Sequence, residues 1–133
     1  MADAAVTDTH PLLFHAAGGK RLGRRAAAHF TACERREAIL YVPAVVLWEM
    51  SLLVRVGKIQ LVGSLDAFCD ALFSNPAYQP LDVTVDHVRI AHSARPNDDP
   101  FDALICAAAA AAGLPLITRD GEITDSGIVK VVW

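Results

Sequence analysis

Four acidic residues, Asp8, Glu49, Asp102 and Asp120, lie far apart in the chain, each where a hydrophobic element ends or where a carboxylate is hard to accommodate. Asp8 closes the apolar stretch Ala4-Ala5-Val6-Thr7, and Asp120 follows Leu116-Ile117-Thr118-Arg119. Glu49 interrupts the apolar face of one helix, and Asp102 opens an alanine-rich one. Oxygen ligands in an open cluster suit magnesium, which keeps several of its waters and rarely takes a closed protein cage. The matching chemistry is metal-assisted cleavage of a phosphodiester, in which the cation polarises the phosphate and brings a water toward hydroxide.

Each acid also has a purely structural reading. Asp8 stands at the carboxyl end of a strand, where ligands gather in open α/β sheets, but it is equally placed to cap a following helix. Glu49 shares a helical face with Val45, Leu52, Leu53 and Val56, and its neighbours three and four residues away include no base. Burying it unpaired would cost several kcal/mol or more, so its partner comes from elsewhere in the fold, as a metal ion or a distant arginine. In Asp99-Pro100-Phe101-Asp102 the first acid reads as an N-cap, Pro100 as the first helical residue and Asp102 as a third-position acid favoured by the helix dipole. Asp102 also begins the face that continues through Ile105, Cys106 and Ala109, which turns it toward the packed side. Asp120 ends a strand with the Thr118 hydroxyl as a donor nearby, yet Asp120-Gly121 is a common turn pair as well.

The elements that must position these acids follow from pattern. A strand is expected at residues 3–8, a helical stretch through 12–14 broken at Gly18-Gly19, and a basic helix over 22–36. The unbroken apolar run 38–42 suits a strand covered on both faces. Pro43 suits the first position of a helix that runs to a Gly57 cap. Further helices are expected at 65–73, 85–94 and 100–112, with strands at 81–83, 116–118 and 128–132. Strands alternating with helices indicate an α/β architecture with a mostly parallel β-sheet flanked by helices.

Composition narrows the function classes. A chain of 133 residues with 53% apolar and 20% charged residues fits one domain, residues 1–133, with one sizeable core. The net charge of −3 offers no global attraction for nucleic acid, so affinity for phosphate must be local. Lys20, Arg21, Arg24, Arg25, Arg35 and Arg36 form a local basic segment, either a solvated helix face or the rim of an acidic pocket. Cys33, Cys69 and Cys106 have no CxxC spacing and read as small core residues in a reducing cytosol. No secretion signal is evident, and the apolar run 103–116 is shorter than the ~20 residues a membrane helix needs; a cytoplasmic protein without membrane attachment is expected.

Other catalytic classes fit poorly. No CxxC or HxH spacing supports zinc, and His10, His15, His29, His87 and His92 are scattered as surface or packing residues. There is no GxGxxG or P-loop. A DxD phosphatase needs an acid where His10 stands, and a receiver domain needs an acid pair at the end of the first strand.

Taken in order, Thr7-Asp8-Thr9-His10, Trp48-Glu49 with Gly57-Lys58-Ile59, Asp99-Pro100-Phe101-Asp102-Ala103-Leu104-Ile105 and Gly113-Leu114-Pro115-Leu116-Ile117-Thr118-Arg119-Asp120 resemble a PIN domain. Within that group the chain is similar to the VapC-like toxins of type II toxin–antitoxin pairs, over essentially its whole length. The resemblance implies a three-layer fold and a ribonuclease that uses Mg2+, or Mn2+, to hydrolyse RNA. It implies Asp8, Glu49 and Asp102 as the core carboxylates, Asp120 as the fourth, and Asp99 as an accessory or a cap. It further implies a VapB-like antitoxin partner and a homodimer. Cys106, where such toxins often have alanine, and Pro11, after the opening acid, depart from the pattern without removing a carboxylate. A non-catalytic PIN-like module that binds RNA or protein is the alternative from a different class.

Overall fold

The apolar runs near residues 4–7, 38–43 and 116–117 become the three inner strands of one parallel sheet. The computed structural model describes residues 3–133, so residues 1 and 2 of the expected 1–133 unit lie outside the described residues. In chain order the elements are β1 (Asp3–Thr7), α1 (Thr9–Ala16), α2 (Arg24–Glu34), β2 (Ala38–Pro43), α3 (Ala44–Arg55), α4 (Leu65–Phe73) and β3 (Tyr78–Leu81). They continue with α5 (Val85–Ser93), α6 (Pro100–Ala112), β4 (Leu116–Ile117), α7 (Gly121–Ser126) and β5 (Val131–Val132).

The strand order is β3-β2-β1-β4-β5, with every neighbouring pair parallel. Val6 aligns with Tyr41 on one side and Leu116 on the other, and Thr7 aligns with Ile117. Parallel pairing requires a crossover between strands, and the helices supply it while covering the sheet. Ala5, Val6 and Thr7 are buried in succession, so both faces of β1 are covered. Leu12, Phe30, Leu40, Met50, Ile105, Leu116, Ile117 and Ile123 are fully buried around it. The direction of winding reverses between β1 and β4, which makes their carboxyl ends the crevice where α/β sheets hold ligands.

Several boundaries differ from the sequence expectation, each for a local reason. Pro43 pairs with Leu81 as the last residue of β2 and stands just before α3 rather than inside it. The expected strand at 81–83 sits earlier, at β3, where buried Tyr78 pairs with Leu40 and Pro80 with Val42. β3 is an edge strand, which tolerates a proline that donates no hydrogen bond. Residues 121–126 form α7, because the Asp120 side chain accepts from Ile123 N at 3.0 Å and Ile123 is fully buried. The last strand covers only Val131–Val132 of the expected 128–132, the two residues that pair with Leu116 and Ile117. The basic helix is shorter than its 22–36 expectation, beginning after Gly23 and ending at Glu34.

Of the histidines outside the acidic region, His15, His29 and His87 act as packing and capping groups, whereas His92 is exposed. His15 stacks on Phe30 at 4.5 Å between ring centroids, His29 Nε2 lies 2.9 Å from Ile39 O, and His87 joins Thr84 in a capping box. Cys33 and Cys106 are core residues as expected, whereas Cys69 is only half-buried.

Gly23 marks one close approach. A Cβ at this position would stand 2.4 Å from Trp133 O, the same oxygen that accepts from Ala26 N at 2.9 Å. Gly23→Ala should therefore displace Trp133 and lower stability by ~1–3 kcal/mol, the usual cost of overpacking. Urea denaturation monitored by tryptophan fluorescence measures this; an unchanged midpoint contradicts it.

Candidate active site at the β1–β4 crevice

Asp8 is the first residue past β1, and its carboxylate is buried. Its Oδ1 accepts from Thr9 N at 2.7 Å, capping α1, while its Oδ2 accepts from Thr118 Oγ1 at 2.7 Å. Its backbone is fixed too, since Asp8 N donates to Ile117 O at 3.0 Å. The two readings of Asp8 are therefore compatible: it caps a helix and faces the crevice. Burial raises its pKa above 3.8, and the Asp120 charge adds to the rise, against the lowering effects of the Thr118 and Thr9 hydrogen bonds and of His10.

Glu49 reaches the same place from α3. Thr9 Oγ1, on the first residue of α1, donates to Glu49 Oε1 at 2.5 Å. The apolar stripe expected around Glu49 is only partly covered, because the buried positions of α3 are Val45, Val46 and Met50 while Val56 is 66% exposed. Glu49 thus lies at the border of the packed face, half-buried over the crevice. Burial raises its pKa first, the Asp8 and Asp99 charges raise it further, and Thr9 and His10 lower it.

Asp102 lies on the third residue of α6 and accepts from Asn97 Nδ2 at 2.9 Å through its Oδ2. Burial pushes its pKa up to about 6; Asn97 lowers it, while Asp8, Asp99 and Asp120 each raise it. Asp99 caps α6, its Oδ1 accepting from Phe101 N at 2.8 Å and Asp102 N at 3.2 Å. Asp120 caps α7 and extends from the carboxyl end of β4. The Thr118 hydroxyl has two partners: it accepts from Asp120 N at 3.1 Å and donates to Asp8, where the sequence had suggested Asp120 as its acceptor.

The four acids are thus one electrostatic cluster contributed by β1, α3, α6 and β4. Among the described residues none of them is in a salt bridge, so the distant arginine considered for Glu49 is not its partner. Also among the described residues, no three acid, histidine or cysteine side chains close into a preformed metal cage. Oxygen-only donors, excess negative charge and an open arrangement fit magnesium, which is bound through one or two carboxylates and its own waters. A cleft of about 300 Å³ lined by Asp8, His10, Pro11, Thr118, Arg119 and Asp120 gives solvent access.

Thr9 and Asn97, which orient Glu49 and Asp102, carried no assigned role in the sequence, and Thr118 was expected only as a hydroxyl donor near Asp120. Their signal was adjacency: hydroxyl residues flank both strand-end acids, and an asparagine precedes the Asp99 turn. The cluster's field reaches Cys106, one turn beyond Asp102, whose thiol is pushed up to about 12 by burial and then by Asp102, Asp8 and Asp120.

The family model for the PIN domain matches residues 5–127. Among solved structures, VapBC2 from Rickettsia felis, bound to a promoter DNA fragment, matches with a TM-score of 0.70 at 13% identity, covering 96% of each chain. A toxin–antitoxin complex from Klebsiella pneumoniae matches at 0.61 and 23% identity, covering 97% of this chain and 96% of the other. VapBC-5 from Mycobacterium tuberculosis matches at 0.57 and 21% identity, covering 97% of each. These likenesses establish the shared fold. No curated protein matches the sequence.

The raised carboxyl pKa values have a definite consequence for stability. As pH rises from 3.8, Asp102 in the unfolded chain loses its proton first while the folded chain retains it to about 6. The folded state binds more protons across that window, so stability falls as pH rises through it. Without divalent cations, melting temperature should decline from 3.8 to about 6, and Asp102→Asn should flatten the decline. A wild-type melting temperature that climbs across the window would overturn this account.

Proposed function

The chain belongs to the PIN domain family, and on that premise we propose that it is a VapC-like toxin: a magnesium-dependent endoribonuclease that hydrolyses RNA phosphodiester bonds and is held in check by a VapB-like antitoxin. The observation that carries this reading is the mutual electrostatic effect of the acids, Asp8 on Glu49 and Asp102, and Asp120 on Asp8 and Asp102, with none of the four in a salt bridge among the described residues. Mutual repulsion of that kind is relieved by a divalent cation.

Asp8 and Asp102 would hold the metal directly, with Glu49 and Asp120 acting directly or through water. A bound Mg2+, or Mn2+, supplies Lewis acidity toward the phosphate and lowers the pKa of a water at neutral pH. The protein's part is positioning. Thr118 and the Thr9 amide each donate to one Asp8 oxygen and so fix the carboxylate's orientation. Thr9 Oγ1 donates to Glu49 Oε1, and Asn97 Nδ2 donates to Asp102 Oδ2 at the start of α6, fixing one oxygen of each acid. Such outer partners set ligand orientation and basicity, and their loss typically costs 10- to ~100-fold in metal affinity or activity.

The toxin–antitoxin reading draws on the neighbours from Rickettsia felis, Klebsiella pneumoniae and Mycobacterium tuberculosis, which are described as VapBC or toxin–antitoxin proteins. In it, an antitoxin segment occupies the acidic groove with a basic side chain, and the toxin forms a homodimer in the cytoplasm. Exposed Trp48, Val85 and Val88 are apolar surface that partners would cover. No helix among the described residues is long and apolar enough to cross a membrane.

Purified protein freed of any antitoxin should cleave RNA in millimolar Mg2+ and stop on chelation. Asp8→Asn and Asp102→Asn should each reduce the rate by roughly 10²-fold or more, the order expected when a positioned catalytic group is lost. Activity that survives either substitution would sink the assignment, and RNA binding without cleavage would favour the non-catalytic module. Thr118→Val should raise the Mg2+ concentration needed for half-maximal activity by ~10-fold or more; an unchanged requirement would remove Thr118 from the design.

A further inference from the structure

The basic segment contributes one residue, Arg21, to a feature beside the acidic crevice. The Arg21 guanidinium lies 4.4 Å from the centroid of the Phe14 ring, and that of Arg119 lies 4.8 Å from the same centroid. Two like charges share one aromatic platform, and among the described residues neither has an acidic partner. Phe14 is itself fixed, only 6% exposed and met edge-on by Trp133 at 6.4 Å. Cation–π contact offsets part of the cost of bringing the guanidinium groups together, and among the described residues no carboxylate takes up their donors.

These groups line a groove of about 590 Å³ that also includes Lys58 and the apolar side chains of Leu61 and Phe68. His10 and Arg119 belong to this groove and to the acidic cleft alike, so the two are continuous. An RNA strand entering the crevice meets repulsion from the acids, and with a net charge of −3 the chain offers no long-range attraction to offset it. Fixed positive groups one step away are what such a strand requires. Guanidinium forks match phosphate geometry, and an apolar wall beside them receives bases.

Building on the ribonuclease reading, we propose that Arg21 and Arg119, held on Phe14, are the substrate-positioning subsite that grips an RNA phosphate flanking the scissile bond, with Lys58 extending the track. An acidic protein segment is the competing occupant. Continuity with the acidic cleft favours RNA, because a strand carries phosphates at regular intervals through both.

The test uses a fluorescein-labelled single-stranded RNA of about 12 nucleotides, a length in the range of single-strand binding sites, with full-length protein in chelator so that nothing is cut. Arg21→Ala and Arg119→Ala should each weaken binding ~5- to 10-fold and reduce the salt slope by about 0.7, as expected when one contact to single-stranded phosphate is lost. Arg21→Lys and Arg119→Lys should recover part of the affinity, and Arg25→Ala, whose side chain lines a different surface, should bind as wild type. In Mg2+ the alanine variants should raise KM more than they lower kcat. Equal affinity and salt slope for the alanine variants and wild type would overturn the subsite. So would intact RNA binding combined with lost binding of a Glu-rich peptide, which would assign the groove to a protein partner. Failure of the ribonuclease reading is separately visible, as RNA binding that depends on Arg21 and Arg119 with no cleavage in Mg2+.

Discussion

The arrangement depends on one buried carboxylate. Asp8 is placed where β1 ends, in the crevice made by the reversal of strand order, and both of its oxygens are occupied, one by the amide of the next residue and one by Thr118 from beyond β4. Taking a carboxylate out of water is costly unless hydrogen bonds or charge replace the solvent. Here the hydrogen bonds are supplied by the α1 amide and by Thr118, which is available only because β4 pairs with β1 in the observed register. A shift of that register by one residue would turn Thr118 away from Asp8. The central strand pair and the chemistry of the crevice are therefore specified together.

Hydrogen bonds do not neutralise the charge. Asp8, Glu49 and Asp102 all have pKa values raised mainly by burial and further by their acidic neighbours. Arg119, which lines the cleft with Asp8 and Asp120, stacks on Phe14 together with Arg21. Among the described residues these negative and positive groups lie near one another without forming ion pairs. Such an arrangement sacrifices stability to keep both sets available, the usual trade at functional sites.

The sequence revealed the acids and the sheet more readily than it revealed what ties them together. Apolar runs located β1, β2 and β4 because strands buried on both faces leave no polar residue to confuse the pattern. Pro80 hid β3, since a proline reads as a break unless the strand is known to lie at an edge, and edge position is a property of the whole sheet. α7 was missed because Asp120-Gly121 satisfies turn chemistry and helix capping equally, and the choice rests on the burial of Ile123. The stripe around Glu49 looked more buried than it is, since periodicity identifies a face without telling how far packing extends along it. The bonds from Thr9 to Glu49 and from Thr118 to Asp8 depend on tertiary approach, so neither is visible in local pattern.

The Thr118–Asp8 bond spans 110 residues, which places the crevice in time as well as in space. During synthesis Asp8 and Glu49 emerge early, but Thr118 and Asp120 follow only when most of the chain has been made. Until β4 docks beside β1, the carboxyl end of β1 is an open edge and Asp8 lacks its second donor. Contacts of such long sequence separation form late, after the loop between them has closed. A nascent chain still attached to its ribosome therefore carries an unfinished crevice, whose acids are made long before the strand that completes it.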